Sequence, residues 1–259
     1  MPELDPETGY AAVYDTIRGD DPAFRASQIA FLCEAFAGCT GPLLDAGCGT
    51  GRHLVFLKAA GYRVVGLDIG PAMLAVARLN LAAAGLPVRL VRGDLRALPF
   101  QAAFDGILCL ESPLAYLLND VELALALGNC RRTLHAGGAL VMDIFDYAGM
   151  FGERGLRPRT TRFSETWGHV DVRESHRYDR ANQIWEMRQA FTVVRSGSQA
   201  QFAVRHRLRI RSADAYAAAL ERAGFTVEQL LPFYPGTLPE LRHEQRIICV
   251  ARAASPQRR

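Results

Sequence analysis

Lysine is almost missing from this 259-residue sequence. Lys58 is its only lysine, so arginine supplies 29 of the 30 basic residues. The formal net charge is only +3, which is too weak to indicate nucleic-acid binding by itself. A GC-rich coding bias and a selected anion-binding role are the two explanations for the excess of arginine.

Long apolar runs, the pattern of a signal peptide and metal-binding motifs are also missing. No apolar run approaches the roughly 20 residues that a membrane helix needs. The first residues, MPELDPE, lack the basic and apolar regions of a signal peptide. None of the six cysteines forms a CxxC pair, and no Cys/His group has the spacing of metal ligands. We therefore expect reduced cysteines, no bound metal, no membrane contact and a cytoplasmic location.

Strand and helix patterns alternate along the first half of the chain. The predicted strands cover residues 42–46, 62–68, 88–92, 104–109 and 139–145, and the helices between them cover 51–60, 71–84 and 119–134, with a turn at Gly137-Gly138. A helix over 212–223 and strands over 225–230 and 246–252 follow later. Alternation with short links predicts right-handed βαβ units. The fold class is therefore α/β, with a Rossmann-like, doubly wound, seven-stranded and mostly parallel sheet.

The two remaining parts of the chain follow other patterns. We predict a loose tail over residues 1–9 and helices over 10–18 and 23–37, the second capped by Asp21. Residues 161–211 lack a helical period and predict antiparallel strands over 162–178, 183–194 and 201–211. The prediction is thus one Rossmann-like domain from residues 1–150 and 212–259, with an antiparallel β insertion at 151–211. The insertion is expected to be a lid or a dimer surface, and its edge strands make a homodimer one hypothesis.

A glycine-rich turn lies between the first predicted strand and the helix after it. Gly47, Gly49 and Gly51 allow a tight turn and the close approach of a ligand to the backbone. The helix that follows presents unpaired amide donors at its start. Dehydrogenases that bind dinucleotides also carry such a turn, but with the spacing G-x-G-x-x-G, whereas the spacing here is G-x-G-x-G.

Three aspartates come at or just after the ends of consecutive strands. Asp45, before the glycines, could accept hydrogen bonds from a cationic amino group. Asp68 ends strand two, where an acid binds the ribose hydroxyls of a nucleoside. Asp94 follows strand three and could accept from an adenine amino group, while Ile69 and Met73 could pack on the adenine. The alternative for each aspartate is a structural role such as capping a helix. Because all three fall at one edge of the sheet, the sequence predicts a nucleoside site there.

At these residues the sequence resembles a known family. The segments LLDAGCGTGRHL, VVGLDIGPAMLAVAR, VRGDLRALPF, FDGILCLESPLAYL and GGALVMDIF are similar to the motif set of class I S-adenosylmethionine-dependent methyltransferases. The resemblance covers about residues 10–145 and the closing strands. It implies an enzyme with S-adenosylmethionine as methyl donor and S-adenosylhomocysteine as product. The implied cofactor-binding residues are Tyr14, Arg18, Asp45, Ala46, Gly47, Gly49, Asp68, Ile69, Met73, Gly93, Asp94, Leu95 and Leu110.

The acceptor side resembles the small-molecule branch of that family, which includes amino-sugar N-methyltransferases and glycine N-methyltransferase-like enzymes. We therefore expect methyl transfer to nitrogen or oxygen of a small molecule, with an amino sugar as one candidate. The candidate catalytic residues are Tyr14, Glu111 and Tyr116. The Pro-Pro-Tyr type of motif found after strand four in adenine and glutamine methyltransferases is replaced here by Ser-Pro-Leu-Ala-Tyr at 112–116, which disfavours nucleic acid as a partner.

Other functions remain open at this point. Arg205, Arg207, Arg209 and Arg211 alternate with apolar residues or His206, which places four guanidinium groups on one face of a strand. That face is either a solvated outer surface or a site for an anionic acceptor, such as a nucleotide-linked sugar or RNA. An RNA methyltransferase is therefore the first alternative. A nicotinamide-dependent oxidoreductase is disfavoured by Asp45 and the glycine spacing, and a non-catalytic cofactor-binding protein is the last alternative.

Overall fold

The computed structural model describes residues 5–19, 21–145, 157–237 and 246–254. The chain divides into two compact units. The larger unit comprises Asp21–Asp146 and Arg211–Arg259, and the smaller unit comprises Met1–Asp20 and Tyr147–Ile210.

The larger unit alternates strands and helices as predicted. Its elements are α2 (Pro22–Ala35), β1 (Leu43–Ala46), α3 (Arg52–Ala59), β2 (Val64–Asp68), α4 (Pro71–Ala83), β3 (Arg89–Arg92), β4 (Phe104–Cys109), α5 (Asp120–Thr133), β5 (Leu134–Phe145), α6 (Ala213–Arg222), β10 (Phe225–Leu231) and β11 (Arg246–Ala253). Short 3-10 turns at Leu95–Ala97 and Pro113–Tyr116 follow β3 and β4.

These strands form one seven-stranded sheet in the order β10-β11-β5-β4-β1-β2-β3. The first five strands pair in parallel, whereas β11 lies antiparallel to both β5 and β10. The predicted seven-stranded, mostly parallel, Rossmann-like sheet is therefore confirmed. β1 is buried along its whole length, as expected of a central strand covered on both faces.

The helix starts follow from local chemistry. Asp21, Asn119 and Ser212 each cap a helix by accepting a hydrogen bond from a backbone N–H in the first turn. Pro22 and Pro71 occupy first-turn positions, where a missing N–H costs nothing. The cap of α2 at Asp21 agrees with the prediction from the sequence.

Strand five differs from the prediction at its start. β5 begins at Leu134, five residues earlier than expected, and Gly137-Gly138 lies within it. The pairing with β4 shifts from Phe104–Leu134 to Gly106–Ala139, so three extra residues form a bulge. Gly137 has a φ of +75°, which glycine adopts without strain. The two glycines therefore form a bulge within β5 and are not a turn before it.

The smaller unit contains α1 (Pro6–Arg18) and a four-stranded antiparallel sheet of β6 (Arg159–Glu165), β7 (Gly168–Asp179), β8 (Ile184–Arg195) and β9 (Ser198–Arg209). The single strand predicted over 162–178 is thus wrong. A turn between Glu165 and Gly168 divides it, and Gly168 at a φ of +147° permits that turn. The part of the insertion before Arg157 lies outside the described residues.

The predicted loose tail over residues 1–9 is also wrong in its described part. Asp5 accepts hydrogen bonds from the backbone N–H and the hydroxyl of Thr8, so α1 begins at Pro6. Gly9 packs so closely on Phe202 that a Cβ atom there would lie 2.7 Å from the ring. Val13 joins an apolar cluster with Phe191 and Val170. The predicted boundaries had grouped these first residues with the Rossmann-like domain, whereas in the structure α1 packs on the small sheet.

No helix in the described residues is long and apolar enough to cross a membrane.

Candidate functional site

The glycine turn is built as the sequence predicts. Gly47, Gly49 and Gly51 all have positive φ angles, of +93°, +52° and +81°. The backbone N–H groups of Gly47 and Cys48 both donate to the carbonyl oxygen of Leu67, at 2.7 and 2.9 Å. The turn is therefore fastened to the end of β2, and the start of α3 follows it directly. This places the glycine turn at the carboxyl edge of the sheet, where such folds bind ligands.

Asp68 joins the glycine turn to the next loop. Its two carboxylate oxygens accept from the backbone N–H groups of Gly49 and Gly70, each at 2.8 Å. Burial raises the pKa of this carboxyl, and the N–H donors of Gly70, Gly49 and Ile69 oppose that shift. Asp68 is thus partly structural, but a carboxylate has about four acceptor positions, so at least one remains for a hydroxyl of a ribose.

Asp45 is the unusual group of the site. It is 1% exposed, and its Oδ2 atom has no hydrogen-bond partner in the described parts of the chain. Burial raises its pKa to about 8, and the nearby Asp68 carboxylate contributes to the shift. A buried carboxylate oxygen without a partner is costly and calls for an explanation. A cationic amino group bound here supplies one, so the residues present fit a methionine-type ammonium.

The adenine side of the site is only partly as expected. Ile69 is 60% exposed just after β2, and Met73 is half-buried in the first turn of α4. The N–H of Gly93 donates to the carbonyl of Asp68, which brings the two strand ends together. Asp94, however, accepts from the backbone N–H of Arg96 and forms an ion pair with its guanidinium at 2.7 Å. The capping alternative for Asp94 is therefore realised, and its contact with adenine stays a prediction.

The segment after β4 lies directly against the glycine turn. Leu110 is buried, and Glu111 and Ser112 follow with φ angles of +65° and +69°. A Cβ atom on Gly47 would lie 2.9 Å from Cγ of Pro113, so the two segments are in van der Waals contact. Tyr116, at the end of the next turn, is 48% exposed. The structure thus places Asp45, the glycines, Asp68 and residues 110–113 together.

Tyr14 and Arg18 lie on α1 in the smaller unit. The guanidinium of Arg18 is 5.3 Å from the centre of the Tyr14 ring, a cation–π distance. Their contacts with cofactor or acceptor stay predictions.

The predicted row of four arginines is shorter than expected. Arg205 and Arg207 both pair with Glu186, and Arg209 donates to the carbonyl of Asn182. Arg211 follows the end of β9, belongs to the larger unit and is only 4% exposed in its side chain, where it binds Asp120 and the carbonyl of Leu117. The row therefore ends at Arg209, and its face carries ion pairs.

Sequence reasoning missed a buried polar group beside Glu111. Asp143, two residues before the end of β5, binds the hydroxyl of Tyr234 and the guanidinium of Arg246. Arg246 also reaches Oε1 of Glu111 at 3.2 Å. The signal that could have revealed this group was Asp143 itself, a lone acid within the otherwise apolar run ALVMDIF.

Known proteins match the chain as follows. A family model described as a methyltransferase domain matches residues 43–138. The dTDP-3-amino-3,4,6-trideoxy-alpha-D-glucopyranose N,N-dimethyltransferase of Streptomyces venezuelae is 30% identical over 86% of this chain and 93% of its own. A dTDP-4-amino-2,3,4,6-tetradeoxy-D-glucose N,N-dimethyltransferase from Saccharopolyspora spinosa is 29% identical over 85% and 87%. CalS10 with bound S-adenosylmethionine, an amino pentose methyltransferase from Micromonospora echinaspora, superimposes with a TM-score of 0.72 at 25% identity over 98% and 100%.

These matches span nearly the whole of each relative and disfavour the RNA methyltransferase and oxidoreductase alternatives. Together with the fold and the glycine turn, they establish the kind of enzyme and its methyl donor, S-adenosylmethionine. The chain belongs to the small-molecule branch of the class I S-adenosylmethionine-dependent methyltransferases.

Proposed function

We propose that this enzyme methylates the amino nitrogen of a nucleotide-linked amino sugar. The observation that carries the proposal is the 30% identity, over 93% of its length, to an N,N-dimethyltransferase of a dTDP-linked amino sugar. Two further relatives whose names give dTDP-linked amino sugars as substrates match over 87% and 89% of their lengths. Nitrogen is therefore favoured over oxygen as the methylated atom.

The site residues offer a consistent way of holding the donor. We assign the methionine ammonium to Asp45, because its Oδ2 is buried and has no partner in the described structure. Gly47, Gly49 and Ala46 would contact the methionine portion through their backbone. Asp68 would accept from a ribose hydroxyl, and a charge-assisted hydrogen bond of about 1.5–3 kcal/mol would help to hold the ribose.

The adenine would pack on the exposed side chain of Ile69 and on Met73. Gly93 and Leu95 flank that position, at the end of β3 and in the turn after it. The ion pair with Arg96 competes for the carboxylate oxygens of Asp94 that would accept a hydrogen bond from the adenine amino group. We therefore rank Asp94 below Asp45 and Asp68 as a determinant of affinity.

S-Adenosylmethionine supplies a methyl group on a sulfonium that already contains its leaving group. The task left to the chain is to hold a neutral amine in line with that methyl, which can supply roughly 7–11 kcal/mol of the barrier. An amine that has lost its proton needs no strong base, whereas a hydroxyl acceptor would. We assign the orientation of the amine to the hydroxyl of Tyr116. Glu111 is assigned a role in attracting the amine, moderated by its ion pair with Arg246.

We keep Tyr14 and Arg18, on α1 of the smaller unit, as candidate residues for the cofactor or acceptor site. A lid or dimer-surface role for the β insertion, the cytoplasmic location and the absence of a nucleic-acid partner stay predictions.

A direct assay tests the proposal. The purified enzyme is incubated with S-adenosylmethionine and a dTDP-linked 3-amino or 4-amino deoxysugar, and the product is analysed by mass spectrometry. One or two methyl groups on the nitrogen, with equal production of S-adenosylhomocysteine, are expected. The matched 3-hydroxy or 4-hydroxy sugar is the control and should remain unmodified. Transfer to that control, or to glycine but not to either amino sugar, would overturn the choice of acceptor.

A further inference from the structure

Two consecutive residues after β4 adopt a conformation that side chains disfavour. Glu111 and Ser112 have φ angles of +65° and +69°, in the left-handed region where glycine is the usual residue. A pair of such residues persists only when the surroundings hold it in place. The pair lies at the carboxyl edge of the sheet, between the end of β4 and Pro113, which packs against Gly47.

Hydrogen bonds with β5 hold Glu111 and Ser112 in this conformation. The backbone N–H of Glu111 donates to Oδ1 of Asp143 at 2.6 Å, and the N–H of Ser112 donates to the backbone carbonyl of Asp143 at 3.1 Å. In return, the N–H of Phe145 donates to Oγ of Ser112 at 2.9 Å. Asp143 thus accepts hydrogen bonds from the N–H groups of both strained residues. With the bond from Phe145, three hydrogen bonds link the turn to β5.

The second oxygen of Asp143 is fixed from the other side. The hydroxyl of Tyr234 donates to Oδ2, and Arg246 donates to the same atom at 3.0 Å. Gln28 in turn donates to the Tyr234 oxygen at 3.2 Å. Asp143 itself is 0% exposed. Its carboxylate therefore has a defined orientation. Oδ1 accepts from the strained turn, and Oδ2 accepts from Tyr234 and Arg246.

This arrangement is more elaborate than stability requires. Apolar residues of similar volume at buried ionic positions are often neutral or stabilising, and Asp143 lies among apolar residues of β5. The position of the turn, however, decides where Pro113 meets Gly47 and where residues 110–112 stand beside the glycine turn. A small displacement of groups next to the reacting atoms can cost a large factor in rate.

We propose that Asp143 is a positioning residue that holds the Glu111-Ser112 turn in its left-handed conformation against the glycine turn, and so sets the geometry of methyl transfer. The proposal rests on the proposed function for the reaction, but not on the identity of the acceptor. Asp143 acts through the backbone of Glu111 and Ser112 and touches neither donor nor acceptor.

The experiment compares Asp143→Asn in two backgrounds, Glu111→Ala and Glu111→Gly. Both backgrounds remove the Glu111 carboxylate, but only glycine relieves the left-handed strain. In D143N an amide nitrogen replaces one oxygen, so the side chain cannot accept from both Glu111 and the Tyr234–Arg246 pair and loses its fixed orientation. If Asp143 holds a strained turn, D143N lowers kcat about tenfold in the E111A background and by about threefold or less in the E111G background. An equal loss in both backgrounds would contradict a role in holding the turn. The melting temperature of each variant, measured in parallel, should fall by similar amounts in the two backgrounds.

A second pair of variants leaves Asp143 in place, so that the test does not depend on whether D143N folds. Ser112→Ala and Ser112→Gly both remove the oxygen that accepts from Phe145, and only glycine tolerates the positive φ. We expect S112G to retain several-fold more kcat and tighter S-adenosylhomocysteine binding than S112A. The reverse order in both readouts would overturn the proposal. Because the affinity for S-adenosylhomocysteine needs no acceptor, a failure of the amino-sugar assignment would leave this comparison intact.

Discussion

Pro113 lies directly over Gly47. An added Cβ atom on Gly47 would be 2.9 Å from Cγ and 3.0 Å from Cβ of the proline ring, closer than such atoms approach in proteins. Gly47 also has a φ of +93°. Two independent constraints therefore make glycine necessary here, one from the backbone and one from the segment after β4. The contact links the turn that is expected to hold the methionine portion to the segment expected beside the methyl group.

The first prediction concerns that contact. Gly47→Ala should weaken S-adenosylhomocysteine binding by at least about tenfold, because the turn or the proline must move. Gly85→Ala is the matched control, since Gly85 also has a positive φ of +67° but open space around its Cβ position. Both variants should lose about 1–2 kcal/mol of unfolding free energy from backbone strain. Calorimetry should show an affinity loss for G47A alone, and equal losses would contradict the role of Pro113.

A second prediction separates ligand binding by Asp68 from its structural role. Asp68→Ala should lower the affinity for S-adenosylhomocysteine by about tenfold or more, and Asp68→Asn by less, because the amide oxygen still accepts one hydrogen bond. Asp105→Ala is the control. Asp105 likewise accepts from two backbone N–H groups, those of Thr40 and Gly41, but it lies at the amino end of β4.

Titration calorimetry and thermal denaturation together check this prediction. Both D68A and D105A should lower the melting temperature, because each loses a carboxylate that satisfies two amides. Only D68A should lose cofactor affinity. Unchanged affinity in D68A would remove Asp68 from the ribose site.

Much of this molecule follows from local patterns in the sequence. The alternating strands, the caps at Asp21 and Ser212 and the positive-φ glycines act within a few residues, so periodicity and spacing reveal them. The site at the carboxyl edge follows as well, because parallel strands bring their ends together. Asp45 and Asp68 could therefore be named as candidates for this edge before their positions were known.

The remainder depends on distant residues. Asp143 meets Tyr234 and Arg246 across 91 and 103 positions, and no local rule joins them. The left-handed pair at Glu111 and Ser112 carries no glycine to mark it, because tertiary contacts impose the conformation. The placement of α1 on the small sheet depends on the fit of Gly9 against Phe202, which only the folded structure reveals.

A third prediction concerns the acceptor. Tyr116→Phe should lower kcat for the amino sugar by about tenfold, because removal of one orienting hydrogen bond next to the reacting nitrogen costs about that much. The affinity for S-adenosylhomocysteine should stay within twofold of that of the unmodified enzyme, since Tyr116 is assigned to the acceptor alone. Tyr178→Phe, at a tyrosine in β7 of the smaller unit, is the control. An equal effect of both changes, or a loss confined to cofactor affinity, would remove Tyr116 from the acceptor site.

The last prediction follows from the buried carboxyl of Asp45. Burial raises its pKa to about 8 from the 3.8 of an exposed aspartate. The folded protein therefore keeps this proton over a pH range in which the unfolded chain has lost it. Stability from this group is largest below about pH 4 and is lost as the pH rises towards 8, by up to about 1.4 kcal/mol per pH unit. Asp45→Asn should abolish that dependence and raise the melting temperature of the ligand-free protein at pH 8.

The same substitution should damage binding. A cationic amino group beside Asp45 favours its ionised form, so S-adenosylhomocysteine should release close to one proton from the unmodified enzyme at pH 6–7 and progressively less above pH 8. Calorimetry in two buffers with different ionisation enthalpies measures that number. D45N should bind at least about tenfold more weakly and release no proton. Proton release that persists in D45N would assign it to another group, because asparagine cannot titrate, and the methionine ammonium would then lie elsewhere.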